Sequence, residues 1–282
     1  MRRHHDDEVH ELEIHEHDRG LSYDLPVLAR RRMIRLMAGV GAGLVPLVGC
    51  TADDTSSPSA SAAGSAGSAS SAECVTVPEE TAGPYPGDGS NGVNVLKESG
   101  VVRADITRSF GDSAGGTAEG VPLTLTLTVV DAASGCGTPK RGAAVYVWHC
   151  DREGGYSLYT EGVTDENYLR GVQETDDRGR VTFTSVFPGC YTGRWPHIHF
   201  EVYGSLADAT TATAITSTSQ LALPKDVCDT VYATEGYESS VDNLGRLSLE
   251  SDSVFRDGHD QQLAAVKGSV AQGYTATLTI AV

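Results

Sequence analysis

Leu123-Thr-Leu-Thr-Leu-Thr-Val-Val130 alternates apolar and β-branched residues without interruption. Successive side chains of a strand leave opposite faces, so this stretch predicts a half-buried β-strand. Working outward, Ala143–Cys150 (AAVYVWHC) predicts a second, largely apolar strand. Val181–Val186 predicts a third, introduced by the turn signal Asp176-Asp177-Arg178-Gly179, and Ile198–Tyr203 a fourth. Thr275–Val282 alternates again and is expected to close a sheet edge, while Gln261–Lys267 is expected to form one short helix. Short strands parted by Gly, Pro and Asp turns indicate an antiparallel sandwich or barrel. No Gly-rich phosphate loop follows a strand and no G-x-S-x-G elbow is present. Nucleotide binding and the commonest serine hydrolase chemistry are therefore unsupported.

The chain divides before this domain begins. Residues 1–29 form a polar leader, acidic and His-rich, with His4, His5, His10, His15 and His17 in no ligand spacing. Residues 30–50 open with Arg30-Arg31-Arg32 and continue into the apolar run Leu36–Gly49. That run falls short of the ~20 residues a spanning helix needs. Positive flank and short apolar run predict export across a bacterial cytoplasmic membrane, in the manner of a twin-arginine signal. Leu47-Val48-Gly49-Cys50 resembles a lipobox, so Cys50 is a candidate for lipid anchoring to the membrane. Residues 51–72, rich in Ser, Ala and Gly, read as a flexible tether. Residues 73–282 are long enough for a single domain with a sizeable core. A formal net charge of −17 argues against nucleic acid as a partner. Beyond Cys50 stand Cys74, Cys136, Cys150, Cys190 and Cys228, an odd number. An exported protein can hold disulfides, but no pairing follows from the spacing.

The chemistry gathers between Tyr156 and His199. His197 and His199, two apart on a predicted strand, send both imidazoles to one face and can reach one metal. Tyr191 follows the bend Pro188-Gly189, which can turn its phenol back toward that strand. Tyr156 follows Gly154-Gly155, where backbone can approach a site closely. Taken singly, an H-x-H pair is often incidental and a loop tyrosine is ordinarily a packing residue. His149 lies within a predicted strand and is expected to be a hydrogen-bonded core histidine. Trp148 and Trp195 read first as packing residues.

Together these segments resemble the intradiol ring-cleavage dioxygenases, the protocatechuate and catechol family. The matching stretches are GAAVYVWHCDREGGYS (142–157), YLRGVQETDDRGRVTFTSVFPGCYTGRWPHIHFEVY (168–203), TSQL (218–221) and ETAGPYP (80–86). The resemblance implies an all-β antiparallel β-sandwich whose long loops carry a metal site. It implies Tyr156, Tyr191, His197 and His199 as ligands of a non-haem Fe(III), with two phenolates favouring the ferric state. A catechol-type diol would chelate as a dianion and displace Tyr191, which then accepts a proton. O2 would enter the ring between the hydroxylated carbons, giving a cis,cis-muconate-type diacid. Arg194 would stabilise negative charge at the ring, Gln220 would assist there, and Pro84, Tyr85 and Trp195 would border the substrate cleft. Cys190 stands where a bulky aromatic is frequent in the family. The helical segment used for dimerisation by catechol 1,2-dioxygenases has no visible counterpart, so a homo-oligomer stays open, as does the identity of the diol. Two alternatives share parts of this pattern. One is a non-catalytic exported β-sandwich lipoprotein that binds ferric iron or ferric–catechol complexes. The other is extradiol cleavage by Fe(II) held by two histidines and a carboxylate.

Overall fold

The predicted alternation at 123–130 lies within β1 (Pro122–Asp131), where Leu123, Leu125, Leu127 and Val129 are buried and the intervening threonines half-buried. Each such leucine or valine contributes about 1.5–3 kcal/mol on burial. The strands that follow are β2 (Thr138–Pro139), β3 (Ala144–Trp148), β4 (Arg170–Glu174), β5 (Arg180–Val186) and β6 (His197–Tyr203). Then come β7 (Ile215–Ala222), β8 (Ala265–Ser269) and β9 (Gly273–Ala281). This is a computed structural model and describes residues 74–282. The predicted leader, the export signal with Cys50, and the tether lie outside the described residues.

Two sheets form the domain. One runs β2-β1-β9-β8, with β5 also paired to β1; the other runs β4-β3-β6-β7. All pairings in the second are antiparallel. The all-β sandwich expectation holds, with one departure: β9 lies parallel to β1, Leu123 opposite Tyr274 through Val130 opposite Ala281. β9 is therefore interior, because β8 pairs with its other side and forms the edge. The expected edge at 275–282 is corrected on that ground. The expected helix at 261–267 is corrected too, since Ala265–Ser269 is the strand that covers β9.

Two short helices, α1 (Lys225–Tyr232) and α2 (Glu238–Leu244), were not anticipated. Pro224 opens α1 and Lys225 pairs with Asp229 one turn on at 2.8 Å. Each helix is too short for apolar periodicity to stand out in a sequence window. Tyr237, just before α2, donates from its hydroxyl to the Phe187 carbonyl at 2.7 Å and so docks this segment on the sandwich. Among the described residues no helix is long and apolar enough to cross a membrane.

β6 explains how the second sheet carries a site. Ile198, Phe200 and Val202 point inward and share the main core with β1, β3 and β5. His197, His199, Glu201 and Tyr203 point to the opposite face, yet they are buried as well. Loops cover that face: Tyr85, Val95, Leu96 and Val101 from the segment before β1, and Tyr156 from the loop after β3, pack on Tyr146, Trp148 and Tyr203. A disulfide between Cys74 and Cys136 fastens the start of this covering segment to the turn between β1 and β2. Cys150, Cys190 and Cys228 are free and buried.

Candidate metal centre

The two histidines come from consecutive outward positions of β6, as the alternation predicts. His197 Nδ1 lies 2.5 Å from the Trp195 carbonyl. A carbonyl can only accept, so Nδ1 carries the proton and Nε2 presents a lone pair. His199 stacks against Trp148, with ring centroids 4.8 Å apart. The two Nε2 atoms meet at 3.1 Å.

Two loops bring the phenols to the same point. Asp151 accepts from the backbone N–H groups of Glu153 at 3.1 Å and Gly155 at 2.8 Å, closing the turn that delivers Tyr156. Gly154 adopts φ +92°, and a Cβ there would sit 3.2 Å from that of Tyr191. The close backbone approach expected at this glycine is thus between the two tyrosine-bearing loops. The Tyr191 loop is also held by Cys190, whose N–H donates to Ser240 Oγ and whose carbonyl accepts from Asn243 Nδ2 on α2. The Tyr156 hydroxyl ends 3.4 Å, and the Tyr191 hydroxyl 3.3 Å, from His197 Nε2. Tyr156 is buried while Tyr191 is half-buried, beside a polar cavity of about 420 Å³ lined by Thr192, Asn243 and Arg246 among others.

Burial dominates the titration of this cluster. It pushes His197 down to about 3 and His199 well below the usual imidazole value, so both rings are neutral. It raises the Tyr156 phenol well above its ordinary value, with Tyr191 adding to the effect. Arg194 acts in the opposite direction, and a cation at the centre would favour phenolates there further. The donor set fits one. Separations of 3.1–3.4 Å are those of donors bound at about 2.0–2.2 Å to a shared ion. Two phenol oxygens and two neutral imidazoles suit a hard, high-valent ion. Among the described residues no group of three or more His, Cys, Asp or Glu side chains is placed to hold a metal. Among the described residues, then, no carboxylate is grouped with the two histidines as a third donor.

Beside the cluster, Arg194 is fully buried and donates from a terminal nitrogen to Gln220 Oε1 at 2.6 Å. Gln220 faces His199 across the β6–β7 pair and passes its own amide proton to the Thr81 carbonyl at 2.9 Å. The predicted pair Arg194 and Gln220 is thus brought together at the histidines. Tyr85 packs 5.0 Å from the Tyr156 ring, and half-buried Pro84 follows Gly83, whose α-carbon faces His199. Trp195 lies in the main core with Nε1 donating to the Leu223 carbonyl, and it touches the site through its backbone. His149 is the core histidine expected: Nδ1 donates to the Cys150 carbonyl and Nε2 accepts from Ser185, each at 2.7 Å. Sequence reasoning missed Asp252, which binds the Arg194 guanidinium at 3.1 Å from 58 residues away.

A dioxygenase family model matches residues 99–236, which span both tyrosines, both histidines and Arg194. An intradiol ring-cleavage dioxygenase from Tetranychus urticae superposes with a TM-score of 0.53 at 25% identity, covering 64% of this chain and 86% of that one. Over the matched residues and in its fold the chain is similar to the intradiol ring-cleavage dioxygenase family. Its members are oxidoreductases, and the sandwich found here is theirs. A second crystallised dioxygenase, Tetur07g02040, matches over 74% of this chain and 94% of its own, with a TM-score of 0.58 at 25% identity. A chlorocatechol 1,2-dioxygenase from Rhodococcus opacus is 36% identical over 55 residues, 20% of this chain. That match spans 21% of the curated relative's length.

Proposed function

We propose that this chain is an intradiol dioxygenase, an Fe(III)-dependent enzyme that cleaves a catechol-type diol between its hydroxylated carbons. Both atoms of O2 enter the product, a cis,cis-muconate-type diacid. The observation that carries the proposal is the gathering of two phenol oxygens and the His199 Nε2 at 3.1–3.4 Å from His197 Nε2, next to a buried guanidinium. Tyr156, Tyr191, His197 and His199 would hold the iron. Ferric iron in that set would supply a Lewis acid that draws electron density from a chelated diol and opens its ring to O2.

The chain's own residues do the rest. Tyr191, the more exposed phenol, takes a proton from the incoming diol at its hydroxyl oxygen. Arg194 sets a fixed positive charge beside the ring and stabilises the negative charge that develops there. Gln220 orients that guanidinium through its Oε1. Tyr85 and Pro84 shield the Tyr156 side from water and shape the cleft for a planar ring. The same proposal includes export through residues 30–50 and lipid anchoring at Cys50. Cell fractionation of wild type and Cys50→Ala tests both, with release of the variant from the membrane fraction as the expected outcome.

An oxygen-electrode screen of catechol, protocatechuate and hydroxyquinol with iron-loaded protein tests the activity. The expected result is visible colour from phenolate-to-iron charge transfer and one O2 consumed per diol. Colour with no oxygen uptake on any diol would instead leave a ferric or ferric–catechol binding protein.

A further inference from the structure

Arg194 and His197 hang from one buried carboxylate. Asp252 is fully buried and precedes the 3-10 turn at Phe255–Asp257. Its Oδ2 accepts from Arg194 Nε at 3.1 Å and from the Trp195 backbone N–H at 2.7 Å. Its Oδ1 accepts from the N–H groups of Val254 at 2.8 Å and Phe255 at 3.2 Å. Both oxygens are thus engaged, each by two donors. One residue further along the chain, the Trp195 carbonyl receives the His197 Nδ1 proton and sets that ring. On the other side, Gln220 and the Thr81 carbonyl complete the line Asp252, Arg194, Gln220, Thr81.

We propose that Asp252 is a positioning residue for the reaction. It holds the Arg194 guanidinium in one direction and, through the Trp195 peptide, holds His197 Nε2 at the centre. The chemistry of the group accounts for the choice. A carboxylate is acceptor-only and can serve four donors, whereas an amide of the same shape offers one acceptor oxygen and turns two N–H bonds against existing donors. A guanidinium gripped at Nε is prevented from rotating about its last side-chain bonds, so its charge stays where it is needed at the moment of reaction. The hydrogen bonds of Asp252 go to Arg194, Trp195, Val254 and Phe255, so it acts on the centre through Arg194 and Trp195.

This inference rests on the iron-dioxygenase reading, and the test separates the two. Iron-loaded wild type, Asp252→Asn, Arg194→Gln and the double variant are compared for kcat, KM, colour and iron content. Asp252→Asn is expected to lower kcat by ~10²-fold while KM moves less than about threefold and iron is retained. The double variant is expected to be no more than about threefold slower than Arg194→Gln alone, because both changes remove the same positioned charge. Full activity in Asp252→Asn, or effects of the two substitutions that multiply, would overturn the role. A shift in the colour band in Asp252→Asn but not in Arg194→Gln would support the second contact, because only the first substitution disturbs the Trp195 peptide that sets His197. Wild type without oxygen uptake would sink the dioxygenase reading instead. A readout on folded wild type stands apart from both activity and variant stability. In gallium-loaded, 15N-labelled protein, the Arg194 Nε–H, identified by its loss in Arg194→Lys, is expected to exchange slowly with solvent. Rapid exchange there would mean the guanidinium is not gripped, and would overturn the proposal even if the variants failed to fold.

Discussion

β1 and β6 are both strands of a sandwich, but they are buried in different ways. β1 keeps its leucines in the core and leaves its threonines half-exposed, with Thr126 and Thr182 joined by hydroxyls 3.1 Å apart on the outer face. β6 is buried at every position, because a layer of loops covers the face that β1 leaves to water. The inner residues of β6 pack as those of β1 do. Its outer residues, His197, His199, Glu201 and Tyr203, are polar and sealed from solvent. A sheet face roofed by loops is thus what allows this fold to hold polar chemistry in a dry place, at the cost of requiring a partner for each buried group.

Substitutions on the two faces test that contrast. The largest effect is expected at the roofed face: His199→Ala should abolish iron binding and colour, with oxygen uptake falling more than ~10³-fold, measured by metal analysis and oxygen electrode. Tyr191→Phe should keep some iron but lose ~10²–10⁴-fold in turnover; unchanged kinetics would remove Tyr191 from proton transfer. On the inner face, Phe200→Ala should destabilise by about 3–5 kcal/mol in denaturant titration and leave the metal stoichiometry of the folded protein unchanged. A large loss of iron at equal stability would show that the two faces are not independent.

Acid reaches the two sides differently. His149, buried and neutral, has its folded pKa lowered to about 4 by desolvation. The unfolded chain therefore binds more protons below the ordinary value of 6.5, and stability should fall as pH drops from about 6.5 toward 4. Asp151, raised to about 6 by burial, acts with the opposite sign between about 4 and 6 and blunts the loss. The His149 contribution is on the order of 3 kcal/mol, and urea titrations of wild type and His149→Gln across that range should differ in slope. The smallest effect is expected on the open face of β1. Thr126→Ala should cost under about 1 kcal/mol, read as a small shift in the urea midpoint.

Much of the site was legible before any fold was known. The H-x-H spacing placed both imidazoles on one face of β6 because a strand has period two. The glycines before Tyr156 marked a loop that could approach another closely, and Gly154 does meet Tyr191. Arg194 and Gln220 were legible only through the family motif, since nothing local requires their contact. The short helices α1 and α2 gave too little periodicity to see. The segment after residue 261 was read as helix because its pairing with β9 is invisible to a local window.

From sequence alone followed five of the strands (β1, β3, β5, β6 and β9), the facing of the two histidines and the family likeness, because each is written in neighbouring residues and their spacing. Only the tertiary structure decided that β9 runs parallel to β1, that Cys74 joins Cys136, and that the outer face of the second sheet is roofed. It alone also put Asp252 beneath Arg194. These are contacts between distant parts of the chain, 58 residues apart in that last case, and they depend on how the sheets and loops pack rather than on any local pattern.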